Sequence, residues 1–266
     1  MLRTTGLTKR FGGITATDDV DFELGEELTS LIGPNGAGKT TFFNLLTGAL
    51  EPTEGTVELQ TDGEWVDITG LEPYETAQLG IHRSYQITNI FPTTSVLENV
   101  RIASQAHGEN SLRFWRNVNS FDEHYEEAHA ILERVGLAEK TEHVAENLSH
   151  GEKRQLEVAI ALAGDPDVLL LDEPNAGVSS EDIGDVKTLI EDVATDHAVL
   201  LVEHNMDIVM DVSERIVVLN QGEVIADDAP EKIQGDPNVE EAYLGGYEAG
   251  DLARERSGTA GNGGTA

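Results

Sequence analysis

A glycine-rich segment at residues 33–40 constrains the fold of this chain more than any other feature. It reads Gly-Pro-Asn-Gly-Ala-Gly-Lys-Thr and fits the pattern G-x-x-x-x-G-K-[ST] of a phosphate-binding loop. A short apolar strand-like run at 28–32 precedes it, and an apolar helical segment at 40–46 follows it. This order of strand, loop and helix predicts an α/β fold and argues against the alternative, a glycine-rich turn that arose by chance.

The residue types in this segment suit a bound triphosphate. Glycines let successive backbone N–H groups curl around phosphate oxygens, and the positive end of the following helix points at the same anion. We expect Lys39 to reach the β- and γ-phosphates, Thr40 to ligate Mg²⁺ and Thr41 to add a phosphate contact. The residues assigned to the nucleotide are Gly33, Asn35, Gly36, Ala37, Gly38, Lys39, Thr40 and Thr41.

Two adjacent carboxylates end a second apolar run. Residues 168–171 read Val-Leu-Leu-Leu, as in a parallel strand buried on both faces, and Asp172 and Glu173 follow directly. Adjacent strand residues point to opposite sides, so Asp172 suits the Mg²⁺ shell and Glu173 suits the orientation or deprotonation of an attacking water. The alternative is a strand end that carries solvated acids. The phosphate loop in the same chain favours the functional interpretation.

The charge of the chain excludes one class of partner. Its 266 residues include 17 Lys+Arg and 50 Asp+Glu, so the formal charge is −33. Nucleic acid is excluded as the main partner, because phosphate backbones require a broad basic surface. At molar salt the Debye length falls to about 3 Å and screens the self-repulsion of such a chain. We therefore interpret the charge as the signature of a halophile; an acidic protein from an ordinary organism is the alternative.

The rest of the composition narrows the class further. The chain has no cysteine, and its eight histidines form no HExxH or His-x-His cluster, so disulfides and a dedicated metal cage are not expected. The first residues lack the apolar core of a signal peptide, and no apolar run approaches the roughly 20 residues of a membrane span. These features predict a soluble chain on the cytoplasmic side.

Strand and helix patterns alternate at both ends of the chain. Hairpins are predicted for 56–59 with 64–68 and for 215–219 with 223–226, and a buried strand for 199–202. Helical spacing dominates from about 95 to 164 and returns at 182–193. The prediction is one α/β unit with an inserted helical subdomain, followed by a small, polar and disordered tail.

The segment 148–152, Leu-Ser-His-Gly-Glu, lies just upstream of the carboxylate strand and opens a helix. With the phosphate loop and Asp172-Glu173, it makes the chain resemble the ATP-binding-cassette (ABC) ATPases, whose LSGGQ-type signature occupies this place. His150 and Glu152 depart from that signature, whereas Ser149 and Gly151 retain its phosphate-facing positions. Ser149 with Glu152 is also a valid capping box, and the two interpretations do not conflict.

The resemblance implies further site residues and the fold, a P-loop core with an antiparallel β subdomain and an inserted helical subdomain. Phe11 takes the place of an aromatic that stacks on adenine, although a lone Phe is also a core residue. Gln86 matches the glutamine that reaches Mg²⁺ and senses the γ-phosphate, and His204 matches the switch histidine. Ser179 stands where the family's D-loop carries an acid, so this chain lacks the acidic group of that loop's contact across the dimer.

Several segments are similar to the ATPases of branched-chain amino-acid importers, the LivG type. They include LSHGEKRQL at 148–156, EHNM at 203–206 and EAYLG at 241–245. This similarity implies one ATPase domain over 1–247, with the helical subdomain at about 88–164 and a tail at 248–266. It implies ATP and Mg²⁺, a head-to-tail dimer with a copy or paralogue, transmembrane permease subunits at the cytoplasmic face of the membrane, and indirectly an extracytoplasmic solute-binding protein.

Three alternatives stay open. The cargo could be urea, an amide or another small solute, because the signature with His150 is also close to that of the urea importers. A soluble ABC ATPase of iron–sulfur assembly, DNA repair or the ribosome is the second alternative. The single phosphate loop disfavours the ribosomal types, and the lack of Cys and of long coiled coils disfavours the repair types. A non-catalytic nucleotide-gated module is disfavoured by the intact set of Lys39, Asp172, Glu173 and His204.

Overall fold

The computed structural model describes residues 1–61, 63–84, 90–107, 119–178 and 183–245. The strands are β1 (Leu2–Phe11), β2 (Ile14–Leu24), β3 (Thr29–Ile32), β4 (Glu54–Thr61), β5 (Glu64–Asp67), β6 (Ile81–Ser84), β7 (Val168–Asp172), β8 (Ala198–Val202), β9 (Arg215–Asn220) and β10 (Glu223–Asp228). The helices are α1 (Lys39–Leu46), α2 (Pro73–Gln78), α3 (Val96–His107), α4 (Asn119–Arg134), α5 (His150–Leu162), α6 (Ile183–Val193), α7 (Met206–Val212), α8 (Pro230–Ile233) and α9 (Pro237–Gly245).

Four strands form an antiparallel sheet in the order β2-β1-β4-β5. Its buried side chains alternate with exposed ones along β2, which is the pattern of a sheet with one solvated face. Phe22 of β2 meets Phe42 of α1 edge-on, with ring centroids 5.4 Å apart. The apolar face of the antiparallel sheet therefore packs on the helix that follows the phosphate loop.

Six strands form the second sheet, in the order β10-β9-β3-β8-β7-β6. Neighbouring strands from β9 to β6 run parallel, and only β10 pairs antiparallel, as a hairpin with β9. Every residue of β7 and of β8 is buried, as expected for strands covered on both faces. Because β3 and β7 both flank β8, the phosphate loop and the two carboxylates emerge at the same edge of the sheet.

Three helices, α3, α4 and α5, lie between β6 and β7 in the chain. The apolar spacing in α4 places Ala128 and Leu132 in the core, where both side chains are fully buried. Leu156 of α5 joins the same apolar cluster. The helical pattern read from the sequence is thus present, whereas the domain limits drawn at 88, 164 and 247 stay a prediction, and the tail at 248–266 lies outside the described residues.

The predicted α/β class, with one antiparallel and one mainly parallel sheet, is confirmed. Strands β1 and β6 and the helices α2, α7, α8 and α9 were not predicted. In the part of the chain that the structure describes, no helix is both long and apolar enough to cross a membrane.

Candidate functional site

The phosphate loop fills the turn between β3 and α1, and two glycines give it its shape. Gly38 has φ 108°, and a Cβ there would lie 2.3 Å from the Ala16 carbonyl oxygen of β2. A Cβ on Gly33 would lie 2.1 Å from the Leu219 carbonyl oxygen of β9. The loop is therefore held between one strand of each sheet, at distances that only glycine permits.

Lys39, the first residue of α1, is almost fully buried. Its Nζ donates to the carbonyl oxygens of Gly33, at 2.6 Å, and of Pro34, at 3.2 Å. Burial lowers the pKa of Lys39, and the charges of Glu173 and Asp172 oppose that shift. The ammonium group thus lies inside the curl of the loop, with two carboxylates near enough to influence it.

Beside the loop lies a hollow of about 490 Å³, which Asn35, Gly36 and Ala37 share with side chains of α9. Tyr243 of α9 belongs to the same region: burial raises its pKa, and a hydrogen bond with the backbone of Gly33 opposes this. Helix α9 is therefore part of the wall of the hollow beside the phosphate loop. The sequence carried no signal for this contact, because Tyr243 is 210 positions away from Gly33.

Asp172 ends β7 and is buried. Its Oδ2 accepts a hydrogen bond from Nη2 of Arg83, which lies on β6 and whose Nη1 donates to Asn44 Oδ1 of α1 at 2.6 Å. The guanidinium also stands over the Phe43 ring, 5.3 Å from its centroid. Arg83 thus ties the carboxylate strand to the helix of the phosphate loop, and it was absent from the predicted site residues.

Glu173 faces His204. Their Oε1 and Nε2 atoms are 2.8 Å apart. Glu173 has φ 51°, an uncommon conformation for a residue other than glycine, and its N–H donates to Val202 O of β8 at 2.8 Å. The end of β8 therefore fixes both residues, since His204 follows that strand by two positions. The predicted pair of a water-orienting carboxylate and a switch histidine is in direct contact.

A third carboxylate, that of Glu203, is hydrogen-bonded to the chain segments on either side of this pair. It is buried, and its Oε1 accepts hydrogen bonds from the N and Nδ2 of Asn175, at 2.9 and 3.1 Å. Its Oε2 accepts from the backbone N–H of His204 at 3.1 Å. Glu203 therefore joins the segment after Glu173 to the histidine. Its place between an apolar strand and His204 was the only signal in the sequence that could have singled it out.

The signature residues lie at the start of α5. Ser149 Oγ accepts from Glu152 N at 3.2 Å, and Glu152 Oε2 accepts from Ser149 N at 2.8 Å, so the capping box is formed. Ser149 and Gly151 line a hollow of about 260 Å³ that shares no lining residue with the hollow at the phosphate loop. In this single chain the two predicted phosphate-facing groups therefore belong to different surfaces.

The remaining predicted residues divide into two groups. Phe11 is 46% exposed at the end of β1, beside Lys9, whose Nζ stands 5.3 Å from the ring centroid. It is therefore not a core residue, and its ring remains accessible to a base. Gln86 and Ser179 lie outside the described residues.

The donor set fits a triphosphate and Mg²⁺. Thr40 and Thr41 lie in the first turn of α1, where backbone N–H groups have no partner within the helix. The Thr40 hydroxyl and the Asp172 carboxylate are hard oxygen ligands of the kind that Mg²⁺ prefers.

Comparisons with known proteins found relatives along nearly the whole chain. The family model described as ABC transporter matches residues 17–176. The high-affinity branched-chain amino acid transport ATP-binding protein LivG of Escherichia coli K12 is 39% identical over 255 residues, which are 92% of this chain and 98% of that protein.

Two solved structures show the same fold. MJ1267, an ATP-binding cassette of an ABC transporter in its ADP conformation, has a TM-score of 0.79 at 31% identity, covering 92% of this chain and 98% of that one. The ATP-binding cassette MJ0796, in a dimeric post-hydrolysis state bound to ADP and Pi, has a TM-score of 0.72 at 25% identity, covering 86% and 99%.

Proposed function

Because the chain belongs to the ABC transporter family, we propose that it is the ATP-hydrolysing subunit of an importer for branched-chain or other amino acids. The observation that carries the proposal is the 39% identity to LivG of Escherichia coli along nearly the whole length of both chains. The chain is an ATPase by family, and the direct contact between Glu173 and His204 supplies the matching chemistry.

The proposed catalysis consists of positioning and charge neutralisation. Lys39 and the backbone N–H groups of residues 33–38 other than Pro34 hold the phosphates, while Phe11 stacks on adenine. Thr40, Asp172 and Gln86 would hold Mg²⁺, and the bound ion would supply charge neutralisation for the transferred phosphoryl group. Glu173 orients the attacking water and accepts its proton, and His204 contacts the γ-phosphate while its hydrogen bond fixes Glu173.

Two subunits close head to tail in this proposal. Supporting it, Ser149 and Gly151 line a different hollow from the phosphate loop, so a second chain is needed to bring both to one ATP. The relative MJ0796 was solved as a dimer with ADP and Pi. The second subunit is a copy or a paralogue of this chain.

Transport requires permease subunits, which would hold the ATPase at the cytoplasmic face of the membrane, with a solute-binding protein on the other side. The apolar residues of the segment 87–92, which follows Gln86, suit the docking of a permease helix. A hollow of about 300 Å³ supports this, since Ile90 and Pro92 line it together with Lys153 and His150 of α5. Ile90 also packs on the helical core, and Phe91 is exposed. We further propose that the acidic surface adapts the complex to high salt.

Replacing Glu173 by glutamine tests the proposed function. Loss of a general base costs about 10²- to 10⁴-fold in rate, so E173Q should lose turnover while it still binds ATP and accumulates as a closed dimer. The measurements are phosphate release and size-exclusion chromatography with and without Mg-ATP. E223Q is the matched control, because it makes the same substitution at an exposed position of β10.

The same variants test transport in cells. A strain without this chain should recover uptake of labelled leucine with the wild type or E223Q and not with E173Q. Wild-type turnover in E173Q would remove Glu173 from the mechanism. Uptake of urea in place of leucine would keep the ATPase and change the solute.

A further inference from the structure

The hollow at the start of α5 is unusually acidic for a surface that has to receive a phosphate. Its lining includes three carboxylates, of Glu139, Glu152 and Asp185, and among its lining residues the only basic side chain is Lys140. Ser149 and Gly151, which keep the phosphate-facing places of the signature, lie in the same hollow. The formal charge of this lining is therefore −2 with Lys140 and −3 without it.

Glu152 is the carboxylate nearest to the signature backbone. Its Oε2 accepts a hydrogen bond from Ser149 N at 2.8 Å. Its Oε1 lies 3.0 Å from Lys140 Nζ, at the end of the 3-10 turn Ala138–Lys140. The hydrogen bond from the Ser149 backbone, and next to it the contact with Lys140, hold the pKa of Glu152 below its usual value, so the carboxylate is ionised at neutral pH.

An ionised carboxylate at this place works against the signature. The start of a helix attracts anions through its free N–H groups and its dipole, and a fixed negative charge there repels a second anion. The family signature carries a neutral glutamine where this chain has Glu152. A nearby cation is needed to restore the attraction for phosphate.

We propose that Lys140 is a positioning residue for ATP hydrolysis, which neutralises Glu152 so that the signature can accept the γ-phosphate of ATP held by the partner subunit. This rests on the proposed head-to-tail ATPase. Lys140 acts through Glu152 and touches no phosphate itself. The alternative is that the ion pair only fastens the 3-10 turn to α5.

A set of four variants separates these alternatives: K140M, E152Q, the double variant K140M/E152Q and the control K232M. Lys232 of α8 also forms an exposed ion pair, in which its Nζ donates to Asp228 Oδ1 at 2.8 Å, so K232M makes the same change without touching Glu152 or the lining of this hollow. Glutamine at 152 keeps the capping box, since Glu and Gln serve equally at that position.

The readout is the steady-state kinetics of ATP hydrolysis by the full chain at about 0.1 M salt. K140M should raise KM for ATP about fivefold with kcat changed less than about twofold, because one exposed ion pair changes an equilibrium by roughly that factor. K140M/E152Q should return KM to the wild-type value, and K232M should leave it unchanged. At about 1 M salt the effect of K140M should shrink, because the Debye length falls to about 3 Å.

Two outcomes overturn the proposal: a wild-type KM in K140M, or a double variant that is as impaired as K140M, which is the result of a purely structural ion pair. Failure of the proposed function would give a different result, because then the wild type and K232M would not hydrolyse ATP at all.

Discussion

Replacing Arg83 by methionine should destabilise the chain far more than any exposed ion pair. The Arg83 and Asp172 side chains are 6% and 9% exposed, and the guanidinium also donates to Asn44 and covers the Phe43 ring. Methionine fills most of the same space but leaves the Asp172 carboxylate buried without its counter-charge. The cost is therefore mainly the desolvation of an unpaired charge.

Removing one partner of a buried ion pair costs about 3–5 kcal/mol. For a chain of this size each kcal/mol shifts the melting temperature by about 2–4 °C, so R83M should melt about 6–20 °C below the wild type. R83K keeps the charge, but one ammonium cannot replace two guanidinium nitrogens that point at different residues, so it should fall in between.

Thermal unfolding followed by circular dichroism measures this effect. R3M is the control, because Arg3 forms an ion pair with Glu58 at 2.8 Å on the solvated antiparallel sheet, where such pairs contribute little. The double variant R83M/D172N removes both charges and should recover much of the lost stability.

The reasoning is refuted if R83M has the same melting temperature as R3M. It is also refuted if R83M/D172N is no more stable than R83M, because the loss of stability would then come from packing on Phe43 and not from the unpaired Asp172 carboxylate.

Two further predictions concern charge. Arg134 bonds Asp192 at 2.6 Å and Asp196 at 2.6 Å, and its hydrogen bond lowers the pKa of Asp196. A lowered carboxyl pKa stabilises the fold above the unfolded value near 3.9 and loses its effect as pH falls through the folded value. R134M should thus be about 0.5 kcal/mol less stable at pH 6, after screening by solvent, and by denaturant unfolding the difference should shrink as the pH falls below the unfolded value. The melting temperature of the wild type should rise between about 0.1 and 2 M KCl, and a flat profile would contradict salt adaptation.

The features that the sequence predicted well are local ones. The phosphate loop, the strand before Asp172 and the hairpin around Gly222 each depend on residues within ten positions of one another. Spacing and turn chemistry determine such elements before any tertiary contact forms. The capping box of Ser149 and Glu152 belongs to the same class, and the structure forms it with both hydrogen bonds.

The features that it missed depend on strand order. Arg83 reaches Asp172 because β6 pairs with β7 in parallel, with Ser84 opposite Leu171. The two residues are 89 positions apart in the sequence, and nothing in either segment identifies its partner. Tyr243 reaches Gly33 because α9 returns over β9 and β10. Parallel pairing leaves no turn signal in the chain, so neither contact can be read from spacing.

The position of each cation decides how salt acts on the proposed cycle. Lys39 and Arg83 are buried, and buried charges are screened little by added salt. Lys140 is 38% exposed in its pair with Glu152, so salt screens both its attraction to Glu152 and the repulsion between Glu152 and phosphate. Capture of ATP by the phosphate loop should consequently change little with salt, and closure of the two subunits should change more. An acidic surface and an anion site coexist in one chain because the loop draws its polarity from backbone N–H groups and a buried lysine, which the surface charge does not supply.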